Sequence, residues 1–326
     1  MPLLCTLAPI RFNAPTMTTG DLSHTVTITA GDTVAEFVPA ANMVCVSLRV
    51  GDVELLDSTH GLQAYADAGK TMGIPLLYPW ANRLDHRGYH AAGRHVTLPA
   101  PDGRYAVDPG GLPIHGALPG DLVWEVLGQS GSDRVHARLR WSSAKLLELF
   151  PFEHELELEA IVSEGALSIA TTVLASGSAP VPVSFGFHPY LRPPAGQRQS
   201  WHVELGATQR LELDERMIPT GELKPLAQRS FELVDSSWDD GLAGLDDPPV
   251  FAAGADGRRL SVTFDEGFDW AQVYAPPGKE FICFEPMTAP TNALNSGDGL
   301  RVLEPGQRHR ARFTVMLSSP TPGKEA

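Results

Sequence analysis

The stretch from His154 to Ala175 sets the strongest constraint on the fold: "HELELEAIV" (154–162) alternates polar and apolar residues, and "SEGA" joins it to a second extended run, "ALSIATTVLA" (166–175). Period-two alternation sends one row of side chains to a core and the other to water, as a half-buried strand does and a helix of period 3.6 does not. The Glu-Gly step reads as a hairpin turn, so the two strands are expected to pair antiparallel. Similar segments recur over 24–30, 33–39, 43–50, 95–99, 122–128, 134–141, 201–206, 210–214, 259–265, 270–276, 281–286 and 310–318, separated by breaks rich in Gly, Pro, Asp and Ser. Helix is scarce. "SSAKLLELF" (142–150), with Ser142 or Ser143 as a cap, and "HGLQAYADAG" (60–69) are the two candidates.

The expected fold class is therefore all-β, a large antiparallel β-sandwich with one or two short helices. No repeat of propeller or solenoid length interrupts the pattern. At 326 residues the chain is long enough to bury roughly 75% of its unfolded surface. No compositional boundary divides it, so one domain is expected over 17–320, with loose tails over 1–16 and 321–326.

The formal charge of −14 disfavours nucleic acid and anionic membrane as partners. No apolar run approaches the ~20 residues of a membrane span, and "MPLLCTLAPIRF" lacks the basic start and cleavage pattern of a signal peptide. Cys5, Cys45 and Cys283 lie far apart with no C-x-x-C pair, which suits a reducing, cytoplasmic compartment rather than a disulfide framework. There is no G-x-S-x-G elbow, P-loop or G-x-G-x-x-G. His86 and His90 are four apart, a metal-ligand spacing on a helix, but Gly88 between them argues for a wet loop and no metal is expected.

Three segments carry chemistry. "MGIPLLYPWANRLDHRGY" (72–89) is an apolar run stiffened by Pro75 and Pro79 that ends in Asn82 and Arg83, with Tyr78 and Trp80 offering flat faces to a ring. "LPIHGALPGDLVWEV" (112–126) sets His115 in a Pro/Gly-flanked loop, where imidazole suits hydroxyl recognition or proton transfer. "SFGFHPYL" (184–191), with His188 locked against Pro189 and followed by Tyr190, pairs with "FICFEPMTAPTNAL" (281–294), where Glu285 sits among apolar neighbours that would raise its pKa and make it a better base. A histidine or carboxylate of this kind, taken alone, is more often a structural group than a catalyst.

Taken in order, Arg83 in "P-x-x-N-R", His115 in "HG" with Trp124 eight residues beyond, His188 in "FHPY" and Glu285 in "FEP" resemble the aldose 1-epimerase (galactose mutarotase) family over roughly 20–318. The resemblance implies a galactose mutarotase-like supersandwich and an isomerase, free of cofactors, that interconverts the α and β anomers of a free aldose. It implies Glu285 as the base on the anomeric hydroxyl and His188 as the acid on the ring oxygen. His115 and Arg83 would bind hydroxyls and steady charge, with Asn82, Trp80 and Tyr190 lining the sugar. A further family aspartate, in "D-x-x-F", is best matched by Asp239 in "SSWDDGLAGLDDPPVF", three before Leu242 in place of the aromatic; Asp240, Asp246 and Asp247 are the other candidates. A glutamate raised toward ~7 and a histidine near ~6.5 would bracket neutrality.

A small-molecule sugar is the expected partner, with the chain a monomer or homodimer. A hexose-6-phosphate 1-epimerase would need an arginine cluster, for which Arg83, Arg87, Arg94 and Arg104 are the candidates. A non-catalytic carbohydrate-binding protein would lose the acid or the base, and both are present. A glycoside hydrolase would want two carboxyls across one bond.

Overall fold

The computed structural model describes residues 21–318; the tails expected over 1–16 and 321–326 lie outside these. The hairpin that opened the sequence reading is present: His154–Ser163 pairs antiparallel with Ala166–Leu174 across Glu164-Gly165, and its burial alternates strictly along the first strand. It lies within a nine-stranded sheet ordered Glu125–Gln129, Arg134–Trp141, His154–Ser163, Ala166–Leu174, Arg308–Ser318, Arg258–Glu266, Val250–Ala255, His202–Glu204 and Ser230–Glu232.

A second sheet runs Pro219–Pro225, Ala207–Leu213, Trp238–Leu245, Trp270–Ala275, Ile282–Met287, Gly186–Phe187 and Leu76–Leu77, with Tyr190–Leu191 also pairing on Ile282–Met287. The two sheets face each other across aromatic contacts. Phe187 meets Phe313 with ring centroids 4.9 Å apart, and Phe284 meets Phe251 at 5.9 Å. A smaller four-stranded sheet, Val26–Ala30, Thr33–Val38, Val44–Val50 and Val53–Glu54, is tied to the first by Thr29 N–H donating to Ser132 O at 2.6 Å. Strand pairing within the named strands is antiparallel throughout, as the alternation requires.

Three details differ from the sequence reading. Among the described residues three short helices form, rather than one or two: Leu62–Ala68, Ala144–Leu149 capped by the Ser143 hydroxyl, and Ala293–Ser296, which was not among the helix candidates. Pro219–Pro225 and Trp238–Leu245 are strands the alternation did not reveal. The first is almost wholly exposed at a sheet edge, so no apolar row is needed, and the second mixes Asp and Gly into its pattern. His115 lies on a short strand, Pro113–Ala117, not in a loop. Among the described residues, no helix is long and apolar enough to cross a membrane.

Gly116 positions that strand. Its φ of +77° is in the region where side chains strain the backbone, and a Cβ there would stand 2.1 Å from Tyr78 O. The close approach makes a parallel bridge between Tyr78 and Gly116 and lets Ala117 N–H donate to Tyr78 O at 2.9 Å. Gly116→Ala is expected to cost at least on the order of 1–3 kcal/mol of unfolding free energy. Chemical denaturation checks this, and a variant as stable as the parent would refute the role given to the glycine.

Candidate active site

Strand alternation decides which residues leave the core. On Trp270–Ala275, the residues Ala271, Val273 and Ala275 are buried in the sandwich, so Trp270, Gln272 and Tyr274 point to the opposite face. The register sets them beside Met287, Glu285 and Cys283 of the next strand, whose Phe284 fills the core. On the other side Asp239 stands opposite Tyr274, and Gly241 opposite Gln272. A polar row, Asp239, Gln272 and Glu285, thus crosses the outer face of the second sheet.

His188 enters from a break in the ladder. Gly186–Phe187 and Tyr190–Leu191 pair on either side of His188-Pro189, and the His188 N–H donates instead to Pro75 O at 3.1 Å. Proline cannot supply a ladder donor, so the imidazole is turned across the sheet face. Its Nε2 lies 3.3 Å from Glu285 Oε1. Tyr190 stacks flat on the imidazole, with ring centroids 4.6 Å apart at 7°, and its hydroxyl shares a 2.7 Å hydrogen bond with Thr71. His115 meets His188 edge-on at 5.6 Å, held there by its own φ of 63° and by its N–H donating to Asn82 O at 3.0 Å. His115 Nδ1 and His188 Nδ1 have no partner among the described residues.

Arg83 is fixed from two directions. Its Nε donates to Asp108 at 2.8 Å and its Nη1 to Asn82 Oδ1 at 3.1 Å, while its carbonyl accepts from Asn292 N–H at 3.1 Å. Asp239 accepts from Gln272 Nε2 at 2.7 Å, which presents this aspartate to the polar row. Asp240 points away and pairs with Arg210, and Asp246 pairs with Arg229.

Burial controls the ionisation. Glu285 is 1% exposed, and desolvation together with the Asp239 charge pushes its carboxyl well above the usual range, against the pull of Arg83. The same desolvation drives His188 down to about 3, in contrast to the near-neutral value expected from sequence. His115 is also pushed well down, by burial and by the charges of His188 and Arg83. Burial raises Asp239, with Arg83 opposing.

The structure therefore gathers Glu285, His188, His115, Arg83, Asn82 and Asp239. Trp80 is placed elsewhere: it and Tyr78 are 1% and 2% exposed within the main core, so neither offers a face to a ligand. Tyr78 serves instead as an anchor, its hydroxyl donating to His154 Nε2 at 2.5 Å while His154 Nδ1–H donates to Phe152 O at 2.6 Å. Gln272, Tyr274 and Asp108 were not singled out from sequence. Alternation in "WAQVYA" puts Gln272 on one face with two aromatics, a signal that was available; Asp108 meets its partner across 25 positions, and nothing local marks it. His86 and His90 are exposed, and no metal-binding cluster occurs among the described residues.

The architecture is that of the galactose mutarotase-like sandwiches. It is similar to a galactose mutarotase-like protein from Clostridium acetobutylicum, with a TM-score of 0.78 at 17% identity over 90% of this chain and 95% of that one. It is also similar to the Slr1438 protein from Synechocystis sp. PCC 6803, with a TM-score of 0.74 at 24% identity over 95% and 100%. The uncharacterized protein YihR of Escherichia coli K12 is 26% identical over 254 residues, 74% of this chain and 77% of that protein. The aldose 1-epimerase family model matches residues 44–315, and the chain belongs to that family of isomerases.

The Arg83–Asp108 pair is testable apart from activity. Burial would raise Asp108, but hydrogen bonds from Arg83 and Leu112 N–H outweigh it and lower the carboxyl. Its contribution to stability is thus present above the ordinary carboxylate range and lost as pH falls through the lowered value. Asp108→Ala is expected to cost about 1.5–3 kcal/mol, the size of a charge-assisted hydrogen bond. A double-mutant cycle with Arg83→Ala checks the coupling, and a cycle closing at zero would remove the pair from the description.

Proposed function

We propose that the chain is an aldose 1-epimerase acting on a free hexose such as glucose or galactose, by acid–base ring opening and reclosure. The observation that carries this reading is the buried Glu285–His188 pair at 3.3 Å. The anomeric oxygen and the ring oxygen are both bonded to C1, so a base for one and an acid for the other must lie close together. Glu285 carboxylate removes the proton from the anomeric hydroxyl, His188 imidazolium protonates the ring oxygen, and the C1–O5 bond breaks to give the open-chain aldehyde. Rotation about C1–C2 presents the other carbonyl face. The 5-hydroxyl then attacks C1 as His188 takes back its proton and Glu285 returns its own.

The pair carries one proton throughout. In the closed-ring state it is carboxylate and imidazolium; in the open-chain state it is carboxylic acid and imidazole. The opposite drifts of the two groups, Glu285 up and His188 down, favour the second form in the empty site. Arg83, which opposes the rise of Glu285, supports the carboxylate needed for the first step. His115, Asn82 and Asp239 are assigned to hydroxyl contacts. The atoms and charges balance with these side chains alone.

A phosphorylated substrate is less well supported. Arg94 donates to Pro151 O, and Arg104 pairs with Glu148 and Asp102, so these two are engaged apart from the pair formed by Arg83 and Asp108.

Polarimetry of freshly dissolved α-glucose and α-galactose, beside a glucose 6-phosphate assay, is expected to show accelerated mutarotation of the free sugars. No acceleration of any would overturn the reading. Glu285→Gln and His188→Asn are each expected to lower kcat by about 10²–10⁴-fold, the usual worth of a general acid or base, with the fold retained by circular dichroism. Undiminished kcat in either variant would remove that residue from the mechanism.

Because burial holds His188 down to about 3, activity is expected to stay flat as pH falls through the ordinary imidazole range near ~6.5. It should decline only where the pair takes its second proton. A kcat/KM profile with a single acid limb centred near ~6.5 would instead mean that a free imidazole controls the rate.

A further inference from the structure

We propose that Thr71 and Tyr190 are positioning residues: together they hold the His188 ring at the angle from which it serves the sugar's ring oxygen, and Tyr190 itself does not contact the sugar. This rests on the acid role given to His188 above.

The need for such a device follows from the bonding of the imidazole. A histidine is commonly oriented by the hydrogen bond that its second ring nitrogen makes. His188 Nε2 faces Glu285, and Nδ1 has no partner among the described residues. Packing must therefore fix the ring. Tyr274 and His115 meet it edge-on, with centroids 5.7 and 5.6 Å away, whereas Tyr190 lies flat on it at 4.6 Å and 7°. The outer torsion of a histidine side chain is broad, so a parallel face in contact is what stops the ring from swinging.

The tyrosine is held by one segment at both of its ends. Its N–H donates to Gly73 O at 2.8 Å, and its hydroxyl shares the 2.7 Å hydrogen bond with Thr71. The same segment accepts the His188 N–H at Pro75 O. It is wedged in place: Ile74 N–H donates to Cys45 O at 2.9 Å, and Gly73, at φ +62°, approaches that carbonyl so closely that a Cβ would stand 2.2 Å from it. The segment thus runs as a splint along the break in the ladder at Pro189, and Thr71 transmits its position to the stack.

Packing also opposes a sugar contact at Tyr190. The residue is 5% exposed, with His188 on its face, Phe281 against it at 4.9 Å, and Cys283 in the same apolar cluster. No open face is left for a sugar, in contrast to the lining role expected from the sequence. The covered face serves the acid instead. An aromatic face within ~6 Å attracts a cation, so the phenol supports the imidazolium that burial disfavours.

The test separates kcat from KM in mutarotation of α-glucose and α-galactose. Tyr190→Leu is expected to lower kcat about tenfold or more, since a misplacement of ~1 Å can cost about a hundredfold, with KM little changed. Thr71→Val and Tyr190→Phe, which leave the packing filled, should each lower kcat about two- to tenfold, the worth of one hydrogen bond. The double variant should lose no more than either single one, because both remove the same bond, and Thr71→Ser should keep the parent rate. In a His188→Asn background, Tyr190→Leu should cost nothing further. A raised KM with kcat kept, undiminished kcat in both Thr71→Val and Tyr190→Phe, or a further loss in the His188→Asn background would overturn the proposal. Inactivity of the parent chain on every sugar would instead fail the anomerisation reading, and proton NMR of the histidine rings then decides. The His188 Cε1–H signal, assigned by its absence in His188→Asn, is expected upfield under the tyrosine ring, displaced in Thr71→Val and restored in Thr71→Ser. A signal indifferent to Thr71→Val would refute the positioning role.

Discussion

Removing the Glu285 carboxylate from water is the constraint on which the rest of the site depends. Its neighbour Phe284 is committed to the core, which fixes Glu285 on the opposite face of the sheet, and there, with His188 packed against it, it is only 1% exposed. An isolated charge there would be prohibitively expensive, and proteins answer by pairing the group or by shifting its pKa. Both answers are present. His188 stands at ion-pair distance, and burial raises the carboxyl. Asp239 works against the carboxylate and Arg83 for it, so the ionisation of one residue is set by three others on separate segments.

Among the described residues, Arg83 is the cation that Glu285, Asp239 and Asp108 all feel. It is hydrogen-bonded to Asp108 and it opposes the upward shifts of Asp239 and Glu285. An arginine free to choose among three acids would neutralise the nearest and leave the site disordered. The Asp108 bond and the Asn292 contact remove that choice, which leaves its field directed at the polar row without a direct salt bridge to Glu285. The cost of burying Glu285 is thereby shared rather than cancelled, and its carboxyl keeps a raised proton affinity.

Much of this was legible in the sequence, for identifiable reasons. Alternation over 154–175 and 270–286 gave the sandwich and the antiparallel pairing, because one buried face demands that pattern. His188 and Glu285 stood out because a titratable group beside proline and aromatics is costly unless used. Asp239 was marked by its spacing from Leu242, and the structure explains why Leu can replace an aromatic there. Positions three apart on a strand face opposite ways, so Leu242 packs in the core while Asp239 reaches the polar row. Trp80 was misread as a platform because an aromatic beside a site residue looks the same in sequence whether it faces ligand or core. Asp108 depends on tertiary pairing across 25 positions, which no local pattern encodes. The near-neutral pKa expected for His188 failed for a related reason: beside Tyr190 of its own motif, His115, Tyr274 and Glu285 close around it from distant segments.

The same kind of tertiary link ties the Arg83 segment to a short helix far from it in sequence. Asn292 adopts a left-handed φ of 66°, and from that bend its backbone N–H reaches Arg83 while its side-chain oxygen accepts from both Asp85 and Asn295. Asn295 in turn donates to Asp85 and to Gly88 O. The short helix Ala293–Ser296 and the Arg83 segment therefore behave as one unit across about 200 positions of sequence. A change in the length or turn of this loop would shift the Asn292 contact and, with it, Arg83.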